Sequence, residues 1–426
     1  MNKKFTTTLL IVIVIIATFL RLYNITQVPP GLYPDEAMNG NNALEALSKL
    51  PSLSGFKVFY PENNGREGLF INIQAISVGL FGNEPWALRV VSAIFGILTV
   101  LGVYFLTKEL FNSQKSILWT SDVPNIDDNT RTSDVQKLKF GEKIALLSAF
   151  LIAVSFWHIN FSRIGFRAIM APFFLTWAIY FLLKSLNSML RTSDVPNIDV
   201  NFSTSDVQKL NLLNYKSILY PVLGGLFFGL GFYSYIAYRA MPALILIILI
   251  IYWFKIKRET DAEPYAKLTR KRFLLIACLF SLAALIVFAP LGIYFLQNPG
   301  SFFGRTTQVS IFNSPTPIED LGKNVLKTAG MFNFVGDWNW RHNYAGRPEL
   351  FWPVGTLFLI GIFLGIKSIF TTLDVQKFAS WILFSWLFFA ALPVVVSNEG
   401  LPHALRSIIM IPPVFILAGF GGIWLY

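Results

Sequence analysis

Gly68-Leu69-Phe70-Ile71-Asn72-Ile73-Gln74-Ala75-Ile76-Ser77-Val78-Gly79-Leu80-Phe81-Gly82 decides how the rest of the chain is threaded. It is apolar, but falls short of the roughly 17–25 residues needed to cross about 30 Å of hydrocarbon. It also carries Asn72 and Gln74. We read it as a helix lying in the membrane interface. Ten other runs are long enough to span: 7–23, 86–107, 143–159, 171–190, 217–235, 240–254, 273–295, 351–370, 379–397 and 407–425. With the amino terminus in the cytoplasm, segments 1–6, 108–142, 184–216, 255–272 and 367–378 are cytoplasmic and hold more than half of the 35 Lys and Arg. Counting 68–82 as a span would send Lys267, Arg270, Lys271 and Arg272 outside, against the positive-inside rule.

Composition agrees with that class. Of 426 residues, 54% are hydrophobic and only 14% charged, against about 25% charged in soluble domains. The net charge of +11 is spread over links between apolar runs, so it argues for membrane orientation and not for nucleic acid. Cys278 is the single cysteine, so neither a disulfide framework nor a Cys-based metal site can form. The start, Lys3-Lys4 followed by an apolar run to Leu20, has no small-residue cleavage site after it. It reads as a retained first helix, with Arg21-Leu22-Tyr23 as an interfacial anchor. The last apolar run ends at Tyr426 without a polar tail, which leaves open further helices or an external domain beyond it.

We expect one all-α, polytopic domain over 1–426. Its parts are a first external loop at 24–84, cytoplasmic insertions at 112–142 and 187–215, and a long external loop at 296–350. A near-identical repeat, TSDVPNIDDNTRTSDVQKLK from Thr120 and TSDVPNIDVNFSTSDVQKLN from Thr192, falls in the two insertions. Asp374-Val375-Gln376-Lys377 echoes it. We read the copies as insertions in loops where added length costs little.

The unusual polar residues gather on the external side. Pro34-Asp35-Glu36-Ala37 sets two carboxylates beside the first span, where proton transfer is one use and helix capping by Asp35 another. The helix they open would bury Ala43, Leu44, Leu47 and Leu50. Arg66 and Glu67 follow, then His158 with Arg163 and Arg167 among aromatics, then Arg239. Such arginines can clamp phosphate or snorkel to headgroups. Asp337-Trp338-Asn339-Trp340-Arg341-His342-Asn343 mixes rings and amides as sugar sites do, and His403 and Arg406 precede the last span. No HExxH, Walker loop or Cys/His metal spacing is present.

At this point the chain resembles membrane glycosyltransferases of the GT-C fold that use polyprenyl-phosphate sugars, among them protein O-mannosyltransferases and lipid A aminoarabinose transferases. The likeness rests on Tyr33-Pro34-Asp35-Glu36-Ala37, Gly65-Arg66-Glu67-Gly68-Leu69-Phe70, Leu80-Phe81-Gly82 with Ala87-Leu88-Arg89, Arg341-His342-Asn343 and Pro402-His403-Ala404-Leu405-Arg406. It implies about ten transmembrane helices with juxtamembrane helices in the first loop, Asp35 as the catalytic carboxylate and Glu36 as its companion. Two departures stand out. Ala171, not an acid, precedes Pro172, and Glu67-Gly68 stands where relatives often have Pro-Pro.

The expected activity is therefore inverting sugar transfer from a polyprenyl-phosphate donor at the outer face of the plasma (inner) membrane, with Asp35 as general base. Arg163, Arg167, Arg239 and Arg406 are expected on the donor phosphate. Arg66, Glu67, Asp337, Trp338, Trp340, Arg341, His342, Asn343 and His403 are expected around the sugar or acceptor. The acceptor class (glycan, lipid or protein) stays open. No cofactor is assigned beyond the donor as co-substrate, and no residue is assigned to a metal; a divalent ion has no motif behind it. A lipid-linked sugar flippase and an inactive member of the fold are the rival readings. The nearly charge-free span centres argue against an ion-coupled carrier.

Overall fold

The structure, a computed structural model, describes residues 3–111, 128–190, 215–259, 265–371 and 375–426. Helix α1 (Lys3–Leu22) is the first span. Helix α2 (Pro34–Ser48) follows, then a hairpin of β1 (Phe59–Tyr60) and β2 (Arg66–Glu67), then α3 (Gly68–Phe81) and α4 (Pro85–Leu110). At 14 residues α3 is about 21 Å long, too short to cross. Helices α5 (Asp128–Val154), α6 (Phe156–Arg163), α7 (Met170–Leu190) and α8 (Tyr215–Gly231) come next. Then come α9 (Met241–Glu259), α10 (Tyr265–Gln297), the loop helices α11 (Pro299–Gln308) and α12 (Pro317–Gly330), and finally α13 (Trp352–Thr371), α14 (Val375–Val395) and α15 (Ile411–Leu425).

Eight described helices are long and apolar enough to span: α1, α4, α7, α9, α10, α13, α14 and α15, several with an added turn. The expected straight span 143–159 is instead a bent pair, α5 and α6, meeting at 56°. The expected span 217–235 is a shorter helix, α8, of 17 residues, packed between α7 and α10. The repeat copy at 192–211 lies outside the described residues, as do 120–127 of the first copy and Asp374 of the echo.

The bend has a visible cause. Ending α5 at Val154 frees the carbonyls of its last turn, which need donors. Arg21 supplies them: its Nη1 donates to Ala153 O (3.0 Å) and its Nη2 to Ile152 O (3.3 Å). Arg21 also meets His158 Nδ1 at 2.8 Å and Ser162 Oγ at 3.2 Å. Arg21 was expected at the interface; it is fully buried instead. His158 is buried with it. Arg21→Met keeps the bulk but strands these acceptors, at about 1–3 kcal/mol for each one left unpaired. We expect a clearly lower melting temperature in detergent; an unchanged melt would show that the bend holds without this guanidinium.

Helix α2 also corrects the sequence reading. Its buried face is Glu36, Asn39, Gly40, Asn42, Ala43 and Ala46, whereas Leu44 and Leu50 are exposed. Polar residues face inward because buried arginines lie opposite them: Arg66 donates to Asn39 Oδ1 and Asn42 Oδ1, and Arg89 pairs with Glu36. Charge pairing overrides the apolar periodicity here. The hairpin turn needs left-handed backbone at Asn63, Asn64 and Gly65, residue types that adopt it readily. Gly68 opens α3 so closely against the carbonyl of Lys57 that a Cβ would lie 2.0 Å from that oxygen. Only glycine fits there.

Candidate active site

Three spans that start beside the same cavity are preceded by a single 3-10 turn, Arg167–Ile169, Ile236–Ala240 and Ile408–Met410. Arg167 and Arg239 sit in the first two turns, and Arg406 stands two residues before the third. This places three guanidiniums at the mouths of three helices. The cavity they share, of about 870 Å³, is also lined by Asp35, Asn39, Asn63, Arg66, Glu67, Asn339, Arg341, His342, Glu399 and His403.

Asp35 is the second residue of α2, and the N-cap is Tyr33. Capping falls to Glu36, whose Oε2 accepts the Tyr33 N–H at 3.0 Å. Asp35 is thus free of that task and stands 47% exposed in the cavity. Asn63 Nδ2 donates to its Oδ1 at 2.7 Å, and Arg341 Nη1 lies 3.9 Å from Oδ2.

Glu36 faces the other way. It is fully buried and outside the cavity lining, with Arg89 Nε at 3.0 Å and the Gly165 N–H at 2.7 Å on Oε1. Its neighbour Arg89 also donates to Pro29 O at 2.6 Å and to Gly31 O. The carboxylate expected to assist catalysis is a tie between the first loop, α4 and the turn after α6.

The arginines divide in the same manner. Arg163 donates to the carbonyls of Leu20 (3.0 Å), Tyr23 (2.8 Å) and Val28 (2.9 Å), closing the end of α1, and does not line the cavity. Arg167 and Arg239 share one carboxylate, Glu67, at 2.9 and 3.6 Å. Arg239 also donates to Phe302 O at 2.7 Å and lies over the Phe302 ring at 4.3 Å. Arg406 meets Glu399 Oε2 at 2.9 Å and donates to Ser397 Oγ. Five arginines line the cavity against three carboxylates, so it favours an anion.

The expected sugar-binding loop splits too. Trp338 and Trp340 are exposed and outside the lining: Trp338 covers Gly346, and Trp340 lies 5.6 Å from the Tyr33 ring. Asn343 is buried, donating to Arg347 O at 2.5 Å. Asp337 is buried behind the wall. Its Oδ1 accepts the Asn339 N–H at 2.7 Å, and its Oδ2 accepts the Ala404 N–H at 2.9 Å and meets His342 Nδ1 at 3.0 Å. Burial by itself would raise the Asp337 carboxyl; the hydrogen bonds from His342, Asn339 and Ala404 outweigh it and leave it below the ordinary value. Behind it, Glu349 Oε1 accepts the Asp337 N–H at 3.0 Å, and burial drives that acid well above its ordinary value. Asp337, His342 and His403 form the one group of metal-ligating type found among the described residues.

Sequence reasoning missed Asn39, Asn63, Asn339 and Glu399 as cavity residues. Asn63 carried a signal in the Asn-Asn-Gly hairpin turn, and Asn339 in the stretch of rings and amides read as sugar-binding.

Residues 69–120 match the sequence model of the dolichyl-phosphate-mannose-protein mannosyltransferase family. That stretch covers α3 and α4 and excludes Asp35. No curated protein matches the chain. Among solved structures, the oligosaccharyltransferase AglB from Archaeoglobus fulgidus, in complex with an inhibitory peptide and a dolichol-phosphate, is similar over 98% of this chain and 50% of its own, at 16% identity and a TM-score of 0.52. ArnT from Cupriavidus metallidurans bound to undecaprenyl phosphate is similar over 99% of this chain and 60% of its own, at 14% identity and a TM-score of 0.51. The chain thus spans half to three fifths of the length of these proteins. With eight to nine candidate spans and this likeness along nearly its whole length, the chain is a multi-pass membrane protein of the GT-C fold.

Proposed function

We propose that the protein is a glycosyltransferase that moves a sugar from a polyprenyl-phosphate donor to an acceptor at the outer face of the membrane. One observation carries the reading: an exposed, oriented carboxylate, Asp35, opens on a cavity that five arginines make electropositive. The cavity also has a greasy flank of Phe302, Phe303, Phe312, Leu392 and Leu405, which suits a lipid chain whose phosphate rests on the guanidiniums. The neighbours crystallised with dolichol-phosphate and undecaprenyl phosphate support that donor class. The basic residues of the opposite links support the outward sidedness.

In this mechanism Asp35 accepts the proton of the acceptor hydroxyl or amine as that atom attacks the anomeric carbon. The bond to the phosphate oxygen breaks on the far face of the sugar, which inverts the anomeric centre. The departing charge is spread over Arg167, Arg239 and Arg406, held in place by Glu67 and Glu399 before the donor arrives. Asn63 and Arg341 hold the Asp35 carboxylate in its orientation toward the cavity.

Membranes containing the protein, given polyprenyl phosphate carrying a labelled sugar, should transfer label to acceptor and accumulate sugar-free polyprenyl phosphate. A chain that moves the intact lipid across vesicles without breaking the sugar–phosphate bond would be a flippase. Arg239→Gln removes one charge from the phosphate cradle, and we expect donor KM to rise about tenfold or more with a smaller change in kcat. An unaltered KM would take Arg239 off the phosphate.

A further inference from the structure

We propose that Asp337, His342 and His403 form a binding site for one divalent transition-metal ion, with Zn2+ the best-fitting species. The ligand atoms come from two distant segments, the stretch after α12 and the stretch between α14 and α15. They converge on one carboxylate oxygen: Asp337 Oδ2 lies 3.0 Å from His342 Nδ1 and 3.7 Å from His403 Nδ1. Tetrahedral zinc with bonds of about 2.0–2.1 Å separates neighbouring ligand atoms by about 3.3–3.4 Å. The two measured separations fall on either side of that value, and all three ligand atoms lie within 4.8 Å of one another.

His342 Nδ1 is at hydrogen-bond distance from that oxygen, and His403 Nδ1 stands just outside it, at 3.7 Å. The imidazole rings are nearly parallel, 26° apart with centroids at 5.0 Å, which brings both Nδ1 atoms toward the same oxygen. The surroundings are those of a built site. Asp337 and His342 are buried, and Phe161 packs 5.8 Å from the His342 ring. The second Asp337 oxygen is held by the Asn339 N–H, fixing the carboxylate as outer-shell hydrogen bonds do around metals. Two imidazoles and one carboxylate suit zinc over the oxygen-seeking Mg2+ or Ca2+.

Three protein ligands leave a fourth position for water or a substrate oxygen, the pattern of open zinc sites. Both histidines line the cavity that holds Asp35, so an ion bound there is reached from that cavity. The ion also ties the stretch after α12 to the stretch before α15. The proposal does not depend on sugar transfer and is tested without it.

The full chain is purified in detergent, stripped with chelator, reloaded with Zn2+ and dialysed, and its metal is counted by elemental analysis. We expect about one ion per chain in the wild type and in Asp35→Asn, and less than about a tenth of that in His403→Ala and His342→Gln. Since a variant can lose metal by misfolding, each is checked by size-exclusion elution. Wild-type protein loaded with Co2+ gives a second readout free of any substitution: an intense visible band of tetrahedral cobalt, erased by Zn2+. Sub-stoichiometric wild-type zinc, its full retention by His403→Ala, or a Co2+ spectrum without that band overturns the site.

Discussion

Asp35→Asn should lower the rate of sugar transfer by about 10²–10⁴-fold, the range that a positioned general base contributes. The substitution is nearly isosteric, and the side chain is about half exposed, so the folded protein should tolerate it. Asn63 can turn its amide to pair with the new side chain as it does with Asp35 Oδ1. What is lost is the negative charge that, in the proposed mechanism, takes the proton. The loss should therefore appear in kcat, with donor KM little changed, because the arginines proposed for the phosphate are untouched. The measurement is single-turnover transfer from labelled polyprenyl-phosphate sugar in proteoliposomes. Undiminished turnover would remove Asp35 from the chemistry.

Glu36→Gln is expected to damage the fold, although it stands one residue away. Its two oxygens accept from Arg89, Gly165 and Tyr33, and none of these partners can be replaced by water in a fully buried position. Removing the charge leaves the Arg89 guanidinium buried with no anion, a change that costs about 3–5 kcal/mol. The variant should melt far below the wild type in detergent or fail to be recovered. Pairing it with Arg89→Met should restore part of the stability, because the stranded charge then goes too. A Glu36→Gln protein that melts like the wild type yet is inactive would return this residue to the catalytic machinery.

Those two neighbours show where reading the chain as a string works and where it stops. Composition, apolar run length and basic links were sufficient for a multi-pass helical fold, because hydrocarbon thickness and charge asymmetry act on local sequence. The kink at Ser155 was illegible, since it depends on Arg21, more than a hundred positions earlier, supplying donors to the broken turn. The inward-facing polar side of α2 was hidden for the same reason: Asn39 and Asn42 are buried only because Arg66 meets them. Within the site, residue type singled out nearly all of the charged wall, but type does not say which way a side chain points. Arg163 and Arg167 differ by four positions, and only the second faces the cavity. Tryptophans 338 and 340 carry the aromatic surface expected of a sugar pocket, yet the turn at Gly346 and the Tyr33 ring draw them away from it.

The Arg21 clasp bears on how the molecule is made. The ribosome delivers α1 long before residues 152–162 have been synthesised, so at that moment its guanidinium has none of its later acceptors from α5 and α6. Arg21 is the penultimate residue of α1, near enough to the end of the span to stretch to the headgroups in the meantime. On the newborn first span the cation therefore reaches into the lipid interface. Arrival of the bent pair then draws that cation inward and seats the leading helix last, although it is translated first.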